Sequence, residues 1–121
     1  RQNGAGTRIL FDFLLKKADI SPEEVVGYDK EYTTHLAVAS AVKNGAADCG
    51  MLVSSAASIL DLDFIKVGEE SYDFLVKADM LEDDRIKKFI EVLKSSDFKK
   101  QVEKIGGYTF NGIGEVTIIN D

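Results

Sequence analysis

The sequence predicts one α/β domain with a mixed sheet flanked by helices. Three observations carry that expectation. Apolar residues at helical spacing alternate with short β-branched runs, cap residues and glycines punctuate the boundaries, and 121 residues suffice for one core of ordinary size but not two.

The first helix is read from Ile9, Leu10, Phe13 and Leu14, one apolar stripe between Ile9 and Ala18, with Thr7 placed to cap it and Asp12, Lys16 and Lys17 facing water. Ser21-Pro22-Glu23-Glu24 then carries a cap, a proline at the first helical position and a glutamate three residues after the cap. Val25, Val26 and Tyr28 read as a strand. TTHLAVASAVKNG predicts a second helix, capped by Thr33 or Thr34 and stopped by Gly45, with alanines suited to close packing on a sheet. CGMLV, residues 49–53, reads as a strand buried on both faces, and Ser54-Ser55 as the cap of a short helix running to Leu60.

DFIKVG and YDFLVKA, separated by Glu69-Glu70-Ser71, predict two further strands. After the acidic start Glu82-Asp83-Asp84, Ile86, Phe89, Ile90 and Leu93 recur at helical spacing; Phe98, Val102 and Ile105 repeat the pattern after Ser95-Ser96 until Gly106-Gly107 ends it. Residues 115–121 read as a final strand or a tail. The expected organisation is therefore one domain over residues 1–121, with one part over residues 1–80, a helical pair over 81–114 and a terminal strand or tail over 115–121.

Composition excludes several classes. A net charge of −6 with no block of Lys or Arg lacks the electrostatic footprint of a nucleic-acid binder. No apolar run approaches the roughly 20 residues that a membrane-spanning helix needs. The lone Cys49 rules out an internal disulfide and fits a reducing, cytoplasmic setting, and its apolar neighbours suit a small buried hydrophobe. With no initiating methionine and no secretory leader, the stretch reads as a piece of a longer chain.

Chemistry is offered by helix starts. GAGTR places glycines ahead of a helix, whose exposed N–H groups and positive dipole end suit an anion; an unremarkable capped entry fits the same residues. The P-loop lysine and the dinucleotide-loop glycine spacing are both missing. Tyr32-Thr33-Thr34-His35 brings hydroxyls and the sole histidine to another helix start, where simple capping competes with a binding role. Two such starts facing one cleft would hold an oxyanion with neutral donors. His35 has no Cys or His partner at metal-ligand spacing, and the carboxylates Glu69, Glu70 and Glu82 to Asp84 sit where solvated turns and helix starts are expected. The pattern favours binding over catalysis, with no cofactor and no resident metal.

RQNGAGTRILFDFLL, GYDKEYTTHLAVASAVKNGAADCGM, ESYDFLV, VLKSSDF and IGGY, in that order, resemble the periplasmic-binding-protein-like (type 2) domain family, specifically its branch fused to molybdopterin molybdotransferases or helix-turn-helix regulators. The resemblance spans about residues 1–114. It implies a bilobed ligand-binding fold, of which this stretch is the second lobe with the first missing, and a helical pair that returns to that first lobe. It implies a small oxyanion such as molybdate or tungstate as ligand, held by Gly6, Thr7, Arg8, Thr33, Thr34 and His35, with Tyr72 as a further hydroxyl donor. Ala5 stands where many relatives carry serine, and Asp48-Cys49-Gly50 matches a structural GxADxG element.

The leading expectation is thus a non-catalytic anion-binding domain linked to molybdenum-cofactor synthesis or its regulation, any molybdotransferase activity or DNA binding lying in a fused domain. The alternative is a structural appendage with a degenerate cleft. Without the first lobe, Ile86, Phe89, Phe98 and Val102 lack their usual cover, which predicts a homo-oligomer or a domain swap.

Overall fold

A computed structural model describes residues 1–119 and divides the chain into two compact units, Arg1–Ile65 and Lys66–Asp121.

The first unit is built from α1 (Gly6–Lys17), a 3-10 turn (Pro22–Glu24), α2 (His35–Lys43) and α3 (Ser54–Ile59). The cap of α1 is Ala5, which offers no side-chain acceptor, so Thr7 lies inside the first turn instead of capping it. Ser21 and Glu24 form the expected box, the Glu24 carboxylate accepting from the Ser21 N–H at 2.7 Å. Thr34 caps α2, its Oγ1 accepting from the Ala37 N–H at 3.0 Å. Ser54 opens α3 as a helical residue after a Val53 cap.

Val38, Ala39 and Ala41 on α2, Ala56 and Ala57 on α3, and Leu15 on α1 form the core. The alanines of α2 serve helix-on-helix packing against α3 rather than contact with a sheet, because short side chains let two helices approach closely. Residues 49–53 run beside α2: a Cβ added at Gly50 would collide with Val38 Cγ1. Cys49 itself is exposed, correcting the expectation of a buried thiol.

The second unit comprises a 3-10 turn (Ala78–Met80), α4 (Asp84–Lys94) and α5 (Ser96–Ile105), with α4 packed on α5. Asp83 caps α4, accepting from the Arg85 N–H at 2.9 Å. Ser95 joins the two helices, because its hydroxyl accepts from the Phe98 N–H at 3.2 Å and donates to the Val92 carbonyl at 2.6 Å. Ser95→Ala removes both bonds and is expected to cost about 1 kcal/mol, read as a lower urea midpoint at unchanged slope. The stripe on this pair stays half-covered: Ile86, Phe98 and Val102 are half-buried, and Phe89 is 37% exposed, meeting Phe74 edge-on with ring centroids 5.0 Å apart.

The expected mixed sheet is absent. Among the described residues there is no strand, and helix accounts for 45% of the chain, so this is not the α/β lobe predicted. The overturned runs fail for different reasons. Around Val25 to Tyr28 the backbone closes turns, Tyr28 N–H donating to the Val25 carbonyl and Lys30 N–H to that of Gly27, while a φ of +82° at Gly27 breaks the alternation a strand requires. Residues 49–53 cover α2 without a ladder partner. DFIKVG and YDFLVKA are irregular and exposed, with Ile65 at 88% and Leu75 at 90%. β-branched and aromatic residues favour extended backbone locally, but a strand exists only by exchanging hydrogen bonds with a neighbour. Residues 115–119 likewise form no regular element, and the remainder of the predicted terminal strand, Asn120 and Asp121, lies outside the described residues.

Candidate functional site

The glycine-rich start of the chain is pinned to the segment that leads into α2. Gln2 N–H donates to the Tyr32 carbonyl at 3.1 Å, and Asn3 N–H donates to Glu31 Oε1 at 3.0 Å. GAGTR (residues 4–8) and YTTH (residues 32–35), distant in sequence, are thereby joined by residues at or beside them. At Gly6 a Cβ would meet nothing within 4 Å, so the space above this helix start is open. Thr7 Oγ1 is a buried oxygen with no hydrogen-bond partner among the described residues.

Arg8 organises this region. Its Nε donates to Asp12 Oδ1 at 3.0 Å, one turn along α1, and its Nη1 donates to the Arg1 carbonyl at 3.4 Å. Nη1 also lies 3.5 Å from Glu31 Oε1. The guanidinium carbon sits 4.0 Å from the centroid of the Tyr28 ring, and Tyr28 donates its phenolic proton to the same Asp12 oxygen at 2.9 Å. The side chain is 11% exposed, against 40% for Asp12 and 43% for Glu31. Hydrogen bonding to Tyr28 first, then to Asp12, holds the Arg8 pKa above its ordinary value against the opposing effect of burial. Arg8 is thus a charged group already faced by two carboxylates.

At the other helix start Thr33 is exposed and Thr34 is committed to its cap, though a hydroxyl oxygen that accepts one N–H retains a proton to donate. His35 Nδ1 accepts from the Val53 N–H at 3.3 Å, which ties the start of α2 to the cap of α3. Tyr72 belongs to the second unit, where it is 83% exposed and its ring lies 5.4 Å from that of Phe74. Gly6, Thr7, Arg8, Thr33, Thr34 and His35 all belong to the first.

Asn3, Asp12, Tyr28 and Glu31 were not among the expected site residues. Asp12 had a local signal, being four residues beyond Arg8 on one helix face. Tyr28 and Glu31 had none, since only the folding back of their segment brings them to Arg8. Among the described residues no three His, Cys, Asp or Glu side chains gather as a metal would require, and no helix is long and apolar enough to cross a membrane.

Residues 1–94 match a family described as the PBP superfamily domain, and the chain belongs to that family, the periplasmic-binding-protein-like proteins. It is 34% identical over 119 residues to the uncharacterized protein YvgK of Bacillus subtilis (strain 168), an alignment that covers 98% of this chain but 38% of the relative. It is 30% identical over 109 residues to an uncharacterized protein in the ferredoxin 2Fe-2S gene 5′ region of Clostridium pasteurianum, covering 89% of this chain and 96% of that protein. The chain thus spans well under half the length of the Bacillus relative. No solved structure matches it.

Proposed function

We propose that the first unit is a non-catalytic binding element for a small oxyanion of the molybdate or tungstate type, serving molybdenum-cofactor synthesis or its regulation in the cytoplasm. The observation that carries the reading is the pinning of the glycine-rich loop to the segment before α2, with Gln2 N–H on the Tyr32 carbonyl at 3.1 Å. Two helix starts rich in hydroxyls and N–H groups are tied together this way. A tetrahedral anion suits such donors because each of its oxygens accepts several hydrogen bonds, and neutral donors suffice in a chain of net charge −6.

In this reading Gly6 keeps the approach open, Thr7, Thr33 and Thr34 contribute hydroxyl or backbone donors, and His35 contributes its imidazole. Arg8 supplies the positive charge. A fused molybdotransferase or DNA-binding domain would use the bound anion as substrate or signal.

The test is a thermal-shift series on the full-length protein with molybdate, tungstate, sulfate, phosphate and organic acids. A concentration-dependent rise in midpoint with molybdate or tungstate, exceeding that with the others, is expected, because a ligand that binds only the native state stabilises it by mass action. A flat response to every anion would overturn the reading. One observation favours the structural-appendage alternative, namely the exposure of Ile9 and Phe13 on α1 at 60% each. In that case the flat response would accompany self-association.

A further inference from the structure

We propose that Glu31 is an internal occupant of the anion site, and that an external oxyanion binds by displacing its carboxylate. The inference rests on the anion-binding reading above.

Glu31 already makes the contacts that an oxyanion at this loop would make. One carboxylate oxygen accepts from the Asn3 N–H at 3.0 Å and faces Arg8 Nη1 at 3.5 Å, the pairing of a backbone donor with a guanidinium typical of anion recognition. Its two anchors differ in permanence. Glu31 is 43% exposed, so its carboxylate can swing into water and be hydrated there, whereas Arg8 is only 11% exposed. Arg8 is also held independently of Glu31, by Asp12 Oδ1 at 3.0 Å and by the face of Tyr28 at 4.0 Å. When Glu31 leaves, the guanidinium therefore stays in position with its positive charge no longer faced by that carboxylate.

Displacement also eases an electrostatic difficulty. With Asp12 and Glu31 both ionised beside one guanidinium, a further anion would be repelled; once the Glu31 carboxylate has swung into water, a dianion faces one fixed carboxylate there instead of two. Glu31 directly precedes Tyr32, Thr33 and Thr34, so its release alters the tether between the glycine-rich loop and the start of α2. Occupancy of the site is thereby coupled to the conformation of that connection.

Calorimetric titration of the full-length protein with sodium molybdate, and separately with sodium sulfate, tests this. Glu31→Gln keeps an oxygen acceptor for the Asn3 N–H but removes the competing charge, and roughly tenfold tighter molybdate binding than in the wild type is expected. Equal or weaker binding by the variant, with the wild type binding normally, overturns the displacement mechanism and leaves the anion reading standing. Absence of binding by both proteins overturns both. A second measurement needs no substitution: saturating the wild type with molybdate should shift the Asn3 amide resonance, because the acceptor of its N–H changes from the Glu31 carboxylate to the anion. An unmoved Asn3 amide in a molybdate-saturated protein rejects the displacement.

Discussion

Arg8→Ala is expected to lower the unfolding free energy by about 2 to 3 kcal/mol, since charged hydrogen bonds contribute about 1.5 to 3 each and a desolvated guanidinium on an aromatic face about 2. The sum of those parts exceeds the expected loss because Asp12 and Glu31, at 40% and 43% exposure, recover hydration when the guanidinium is gone. The Arg1 carbonyl and the Glu31 segment also lose the group that draws them to α1. Arg8→Lys keeps the charge but cannot span Asp12 and Glu31 with a planar fork, so it is expected to fall between wild type and alanine. Urea denaturation of the full-length protein reads both variants. An unchanged midpoint in Arg8→Ala would remove Arg8 as the organiser of the loop, whatever its effect on anion affinity.

Gly50→Ala is expected to cost about 1 to 3 kcal/mol, the range for forcing an extra methyl into a well-packed contact. The added Cβ lands against Val38 Cγ1, closer than van der Waals contact allows, and Val38 is 5% exposed in the core of α2, so neither the methyl nor the helix has room to yield. At Gly114 the neighbours of an added Cβ are Lys94 side-chain carbons, which can swing aside into solvent. The comparison isolates the cause: Gly114→Ala removes a φ of +73° from glycine, and its cost is that of the backbone alone. Val38→Ala opens space at the clash, so the double variant Gly50→Ala, Val38→Ala should be more stable than the sum of the two single losses. Strict additivity would place the strain of Gly50→Ala elsewhere.

Much of the helical framework was legible because its signals are local. Thr34, Asp83 and Ser95 each cap through an oxygen that reaches an N–H two or three residues on, so the cap and its target are written within a few positions. The stripes of α4 and α5 were legible for the same reason. The start of α1 was misread because threonine has a capping side chain and Ala5 has none, yet the backbone turned into the helix two residues ahead of Thr7. At the candidate site, GAGTR and YTTH stood out by residue type, but the carboxylates that face Arg8 did not.

The sequence by itself determined most of the helices, several of their caps and the acidic balance, since each follows from interactions spanning a few residues or from composition. Only the tertiary structure decided that no run among the described residues pairs into a sheet, because a strand requires a distant partner that hydrophobic alternation cannot supply. It likewise decided that Cys49 is exposed and that Glu31, 23 residues beyond Arg8, comes to rest beside its guanidinium. The physical reason is the same in each case: burial and charge pairing are properties of where separate segments meet, and no local pattern encodes that meeting.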